Sequence, residues 1–480
     1  MKRCDVAVIT NNSCGINLAI NLEQKEYHVA LYDVDVVIDG RVTTVKEQNT
    51  RLKGTDIQQI YDMNTLLLIL DDPKIVFVMG DNNVFAEQIL SLLKESLDAG
   101  DIVIDCCNTY YEDTASRTRA FEQMGILYLG TGLVGDTLKQ PCLLPGGSYT
   151  AYMATIEILQ DLCDNHCTYM GPDGAGQFVK MVHDAIEWSM LQLISEHIGV
   201  LRAGLDMDYE ELHYLLCDWN SKETLNSYLL DIVADIIGRY DYETRRPLID
   251  VASDVVGFDL SSSWIGKSAM LLAVPVPTLL EAINVRFFTY MKSERQAVAN
   301  LTPSFAIKVS GNDIQSYISR VESSLYICLS LTYVQGFDFL AKASDMYGWQ
   351  MKIGDVAFAL SNGSYIKSRM LNRIVNLLKK SRSYKNLLLD SDYLRVSTSH
   401  FPSLRRVVST AAGGGYPMPC TFACLSYLDT IAQSKLPTGI IQLASDHIHG
   451  SGYERIDKDG VFYAEWNDPN SGTRSIKSRS

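Results

Sequence analysis

A change of rhythm between Gly171 and Gly176 constrains this chain more than any other feature of its sequence. Before it, short β-rich runs at Val6–Ile9, His28–Tyr32, Ile75–Met79, Ile102–Asp105 and Leu127–Leu129 are each followed by a turn or helix signal. One such helix is expected from about Gly15 to Lys25. Strands separated by helix-length segments predict right-handed βαβ units and a parallel sheet. After the change, Phe178, Met181, Val182, Ile186, Met190, Leu193 and Ile198 recur at three- and four-residue steps, which draws one apolar stripe on a long helix. Helical runs punctuated by Gly and Pro continue to about Ser434. The sequence therefore predicts an α/β domain over 1–174, a large all-helical domain over 175–434 and a C-terminal tail over 435–480. The Gly-, Ser- and Asn-rich end of the tail reads as poorly packed.

Composition narrows the classes of function. The chain has 480 residues, too many for one ordinary core, and its 47% hydrophobic and 21% charged content is globular. A net charge of −15 argues against nucleic acid or an anionic membrane as partner, because both select a basic surface. No run approaches the ~18 apolar residues of a membrane span. The start MKRCDVAVIT carries no leader pattern, so a cytoplasmic location is expected. Eleven cysteines are scattered without a regular framework. Cys163 and Cys167 flank His166, but no second ligand pair follows at zinc spacing, so reduced, buried thiols and no metal site are expected.

The first strand runs into Ile9-Thr10-Asn11-Asn12-Ser13-Cys14-Gly15 and opens a helix, which is the context of a dinucleotide-binding turn. That turn has three glycines, one for the bend, one for close approach to pyrophosphate and one for helix–strand packing. Here the three positions are Thr10, Asn12 and Gly15, and only the packing glycine is present. The domain therefore reads as Rossmann-like with a degenerate turn. Asp33 ends the second strand 18 residues beyond Gly15, where a carboxylate can bond a ribose 2′-OH and repels a 2′-phosphate. A bound dinucleotide would on this ground be NAD.

Lys180 and Glu187 lie seven residues apart, two helical turns, and so share a helix face. A Lys and a Glu with environment-shifted pKa values can divide the base and acid steps of an oxidative decarboxylation. The segment GAGQFVKMVHDAIEW, Gly174 to Trp188, resembles the GAGHFVKMVHNGIEY motif of 6-phosphogluconate dehydrogenases. In order and spacing the similarity continues through LLPGG at 143–147, VPVPTLLEAINVR at 274–286, RRVVST at 405–410, PMPC at 417–420 and LPTGIIQ at 436–442. The resemblance implies an NADP-dependent oxidation and decarboxylation of 6-phosphogluconate to ribulose 5-phosphate in the pentose phosphate pathway, carried out by a homodimer. It makes Lys180 the base and Glu187 the acid. It also assigns Asn108, Gly135, His183, Asp184 and Arg286 to the substrate, and Thr10, Asn12, Gly15, Asp33 and Asn108 to the cofactor.

Several motif positions are changed. The Asn beside the His is Asp184, the closing Tyr is Trp188, the Ser-Gly-Gly loop is Val134-Gly135-Asp136, and Gly-Gly-Asn is Cys106-Cys107-Asn108. The Asn-Arg-Thr that grips the 2′-phosphate is Asp33-Val34-Asp35, the Lys-Trp-Thr contact is Ser263-Trp264-Ile265, and the tail's Arg and His align with Ser445 and Ser451. Arg286 remains, with Lys267, His447 and His449 near enough in sequence to substitute. Losing two or three cations while adding Asp136 and Asp184 removes on the order of 5 kcal/mol of anion binding. The expectation is a pseudoenzyme of the family, acting through dimer surfaces as a homodimer or beside an active paralogue; the cofactor is NADP by the resemblance, NAD by Asp33 if a dinucleotide binds, and the altered turn leaves open that none does. The alternatives are an NAD-preferring dehydrogenase of altered specificity and an ordinary, divergent 6-phosphogluconate dehydrogenase.

Overall fold

The computed structural model describes residues 2–37, 41–45, 50–80, 83–257, 261–302, 306, 307, 309, 313–380, 384–466, 474 and 475. Its contacts divide the chain into two units, Met1–Leu425 and Ser426–Ser480.

The first unit opens with β1 (Val6–Thr10), α1 (Ser13–Gln24), β2 (Val29–Val37), β3 (Arg41–Val45), β4 (Gln58–Gln59), α2 (Met63–Leu68) and β5 (Ile75–Met79). It continues through α3 (Asn83–Ser96), β6 (Ile102–Asp105), α4 (Tyr111–Glu122), β7 (Leu127–Asp136), β8 (Gln140–Gly147) and α5 (Tyr149–Leu162). These strands form one sheet in the order β3-β2-β1-β5-β6-β7-β8, with β4 beside β2. The inner strands pair in parallel, Thr10 opposite both Asp33 and Met79. Successive residues of β1 and β5 alternate between two apolar clusters. Ala7, Ile9, Val76 and Val78 pack on one side with residues of α3, and Val6, Val8, Phe77 and Met79 pack on the other with residues of α1 and α5. A strand buried on both faces must be apolar throughout, which is why VAVIT and IVFVM have no polar phase.

The sheet is not parallel throughout. β3 runs antiparallel to β2, and β7 forms a long antiparallel hairpin with β8 from Leu129–Gly147 to Asp136–Gln140. The tight connection between β7 and β8 explains the second case, since a parallel return needs a crossover of a dozen residues or more.

α6 (Ala175–Leu205) is 31 residues long and closes in a left-handed cap at Asp206. The 34-residue helix Ile314–Tyr347 packs along it, with Gly336 making room for Val182 and Ile186. The start of α6 lies directly on the hairpin. A Cβ on Gly176 would collide with the backbone oxygens of Leu144 and Gly130, and one on Gly146 would collide with the backbone nitrogen of Gly176. Backbone therefore meets backbone along this seam, and only glycine fits. Further helices, including Ser261–Leu272 and Pro277–Tyr290, complete the helical part.

The tail is more ordered than its composition predicts. The helix Gly439–His449 is followed by β9 (Tyr453–Glu454), β10 (Val461–Tyr463) and β11 (Arg474–Ser475), paired antiparallel in the order β11-β10-β9. The buried Asp446 carboxylate accepts from the Gly452 and Ala464 N–H groups and from Trp466 Nε1 at 2.9–3.1 Å. One helical carboxylate thus ties down a stretch with few apolar residues. The rest of the closing SGTRSIKSRS lies outside the described residues.

Candidate active site

Four elements of the first unit, α6, the turn after β6 and the helices Ser261–Leu272 and Pro277–Tyr290, enclose a cavity of about 250 Å³. α6 contributes Lys180, Asp184 and Glu187, at steps of four and three that place them on one face. The turn after β6 contributes Asn108, and Arg286 comes from the helix Pro277–Tyr290. Trp188 and Trp264 supply aromatic wall.

Asp184 is the electrostatic centre of the cavity. Its Oδ2 lies 2.6 Å from Lys180 Nζ, and its Oδ1 lies 3.0 Å from His183 Nδ1. Burial opposes ionisation of Asp184, but the Lys180 ammonium and His183 outweigh it and hold the carboxyl below its ordinary pKa. Glu187 moves the other way, because burial raises its pKa while His183 offsets this in part. Two carboxyls pushed apart in this way suit opposite proton-transfer roles. His183 is completely buried, with Nδ1 3.9 Å from Glu187 Oε2 and no hydrogen-bond partner at Nε2. The Arg286 guanidinium stacks 4.1 Å over the Trp188 ring and donates to the Gly257 carbonyl. Trp188 thus replaces a hydroxyl with a platform that orients the cation.

The β1–α1 turn is built differently. Thr10 is fully buried, and its Oγ1 accepts from the Asn12 N–H at 3.1 Å. Asn12 is extended and caps α1, its Oδ1 accepting from the Gly15 N–H at 3.0 Å. That amide is one a pyrophosphate would engage, so the turn as it stands is satisfied by its own side chain. Asp33 is buried beside Thr10 in the strand register. A carboxylate there fits a ribose hydroxyl and does not fit a 2′-phosphate. The side chain of Asp35 lies outside the described residues. A bound nicotinamide would supply the hydride acceptor. Asn108 is the residue of this chain that could meet it at the cavity wall.

Residues 5–171 match the family profile described as the NAD binding domain of 6-phosphogluconate dehydrogenase, and residues 176–466 match its C-terminal domain. The NADP(+)-dependent decarboxylating 6-phosphogluconate dehydrogenase of Bacillus subtilis (strain 168) is 33% identical over 474 residues, 97% of this chain and all of that one. The chain belongs to the 6-phosphogluconate dehydrogenase family. The decarboxylating enzyme of Escherichia coli (strain K12) is 32% identical over 477 residues, covering 98% of this chain and 100% of the other. The solved Plasmodium falciparum 6-phosphogluconate dehydrogenase, studied in apo form and in complex with NADP+ and with 6-phosphogluconate, superposes with a TM-score of 0.89. It is 26% identical and covers 96% of this chain and 100% of that one.

Not every residue that the 6-phosphogluconate dehydrogenase motifs nominate reaches the cavity. Gly135 lies in the β7–β8 hairpin, where its carbonyl accepts from Tyr365 Oη at 3.1 Å, and it is not part of the cavity lining. Asp136 is exposed and accepts from the Leu138 N–H at 3.0 Å, so of these two carboxylates Asp184 lines the cavity and Asp136 does not. Lys267 pairs with Glu112 at 3.3 Å over the Tyr110 ring, outside the lining. His447 and His449 belong to the second unit, where the His447 ring lies tilted against Trp466, the ring centres 4.9 Å apart.

Sequence reasoning missed Gln177. Its amide donates to the Cys107 carbonyl at 3.0 Å and the Thr131 carbonyl at 3.1 Å, which fixes the turn that carries Asn108. The signal was a polar residue inside an apolar helix start. Sequence reasoning also found no metal-ligand set, because it looked for Cys and His spacings. Among the described residues, His183, Asp184 and Glu187 place their ligand atoms within 4.8 Å of one another.

Proposed function

We propose that this chain is a 6-phosphogluconate dehydrogenase-like protein that keeps the Lys180–Glu187 pair but oxidises and decarboxylates 6-phosphogluconate poorly. The observation that carries this is the 2.6 Å bridge between Lys180 Nζ and Asp184 Oδ2. An ammonium donating to a carboxylate must break that bridge before its nitrogen can take a hydroxyl proton from substrate. The same carboxylate faces any carboxylate brought into the cavity. Two such charges ~4 Å apart repel by about 4 kcal/mol at the effective dielectric of a protein surface, nearly a thousandfold in affinity. Asp33 favours NAD over NADP on the same electrostatic ground. The pseudoenzyme role, a homodimer or a pairing with an active relative, and a cytoplasmic location complete the proposal. It draws support from a lineage of metabolic enzymes and from the described residues, where no helix is long and apolar enough to cross a membrane.

A second reading, an ordinary working enzyme of the family, is favoured by the convergence of Lys180, Glu187, Asn108 and Arg286 on one cavity. Reduction of NADP+ and NAD+ with 6-phosphogluconate, assayed beside the Bacillus subtilis relative, separates the two. The wild type is expected to be at least about 100-fold slower than that relative, and Asp184→Asn to recover at least about tenfold. Wild-type turnover within tenfold of the relative overturns the proposal.

A further inference from the structure

We infer that the outward face of the helix Arg369–Leu378, with the groove beside it, docks a short acidic segment of a partner protein that carries an apolar anchor. Residues 356–389 hold seven Lys or Arg and no Asp or Glu, in a chain whose net charge is −15. The helix turns its apolar side inward through Met370, Leu371, Ile374, Val375 and Leu378. Arg369, Asn372, Arg373 and Asn376 are exposed at helical steps, and Lys379 and Lys380 extend the row past the last turn. The outward face therefore consists of cations and amides, without a carboxylate among them.

This arrangement works against the helix. Arg369 and Arg373 stand four residues apart, where like charges repel, and Arg369 opens the helix at the positive end of its dipole. No acidic residue lies in that first turn to offset it. Neighbouring elements neutralise the row only slightly. Arg373 meets Glu223 at 3.3 Å, with the two side chains 45% and 74% exposed, and an ion pair so open to water contributes little. Lys379 Nζ lies 4.7 Å over the Phe358 ring. Among the described residues, Arg369, Lys380 and Lys385 have no carboxylate within ion-pair distance. A face that repels itself and is not neutralised by its own chain is completed by an anion from outside.

The groove adds a shape and an apolar contact. Arg373, Asn376, Lys380, Lys385 and Asn386 line a space of about 570 Å³ together with Leu377, Leu387 and Leu389. Leu389 is 74% exposed. Asp390 and Asp392 also border it, and they limit how far an anionic occupant can run. Asp390 Oδ1 accepts from the Asp392 and Tyr393 N–H groups at 3.0 and 2.9 Å, and Asp392 lies 3.8 Å from Arg395. Charge complementarity selects an acidic occupant, and the exposed leucine selects one with an apolar side chain. Alternate side chains of an extended strand are ~6.6–7 Å apart, close to the ~6 Å from Arg369 to Arg373 along the helix. A long polyanion would continue onto the surface of a protein that is acidic as a whole, which favours a short peptide over nucleic acid or an anionic membrane.

The test uses the full-length chain without substrate or dinucleotide, so it stands or falls independently of the turnover proposal. Fluorescence anisotropy with a labelled eight-residue peptide of alternating glutamate and leucine is expected to show micromolar binding at about 50 mM salt, at least about tenfold weaker at about 300 mM. The double variant Arg373→Glu/Lys380→Glu changes exposed side chains only and should weaken binding at least about tenfold. Lys435→Glu, at an exposed cation of the second unit, should leave it within about twofold. Glycine in place of the peptide's leucines should weaken it at least about threefold. The inference is overturned by absence of binding at millimolar peptide, by a double variant that binds as wild type does, or by an equal loss in Lys435→Glu. Equal binding of the glycine peptide overturns it as well, as does tighter binding of single-stranded RNA or phosphatidylserine vesicles.

Discussion

In the β1–α1 turn, side chains stand where the family motif has glycine, and they turn inward. Thr10 and Asn12 satisfy one another, and Asn12 takes the Gly15 N–H. In the α6 cavity the side chains keep their places, but Asp184 adds charge, His183 is left with an unpartnered nitrogen, and about 250 Å³ stays open. The first region has closed on itself, and the second has kept an opening while changing what it attracts. Change in a binding motif is therefore not one process. A backbone-lined turn changes by taking in side chains, whereas a cavity lined by side chains can change its charge without changing shape.

The sharpest way to break this contrast is to show that the cavity does no chemistry. In an Asp184→Asn background, Lys180→Met should lower 6-phosphogluconate-dependent dinucleotide reduction by about 10²–10⁴-fold, to the assay background. An unchanged rate would mean that the pair on α6 is inert.

The two buried histidines of α6 offer the next test. Burial lowers the His197 pKa from 6.5 to about 4, opposed by its bond to the Leu193 carbonyl. The folded ring therefore stays neutral where the unfolded ring takes a proton. Stability from this residue is complete above pH 6.5 and is lost as pH falls toward 4, on the order of 2 kcal/mol by pH 5. Glu196, raised by burial, works in the opposite sense and gains stability as pH falls through its folded pKa. Urea midpoints at pH 7 and pH 5 should converge in His197→Gln relative to wild type; an unchanged slope would remove His197 from the account.

Gly15→Ala tests whether the turn is filled. Its new Cβ would collide with the Thr10 side chain, an overpacking expected to cost about 1–3 kcal/mol and to lower Tm by several degrees. The smallest effect is reserved for Asn12→Gly. Removing the cap with glycine should cost only a few tenths of a kcal/mol in stability. It should also free the Gly15 N–H and tighten dinucleotide binding about fivefold, read by fluorescence titration. A weaker complex would show that Asn12 helps the cofactor instead of occupying its place.

How much of this was legible in the sequence depended on how local the cause was. The limits of β5 and β6 are legible because strands buried on both faces carry a short continuous apolar run, which Asp105 closes in β6. β8 was read only as LLPGG, because proline and glycine argue against a strand, and its pairing is set by β7. The tail sheet escaped notice for a similar reason, since it hangs on what Asp446 captures across 18 residues. Lys180, Asp184 and Glu187 could be found because helical spacing brings them together. The Arg286–Trp188 stack and the Gln177 bonds arise where separate elements meet, and no spacing encodes that.

The contact of Gly146 and Gly176 has one more consequence. With no side-chain layer between hairpin and helix, α6 has nothing to slide on, and its residues keep fixed addresses relative to the sheet. Variants drifting away from this chain would sample new charges at constant positions, so the history of such a lineage is written in which atoms occupy each address while the addresses themselves stay put.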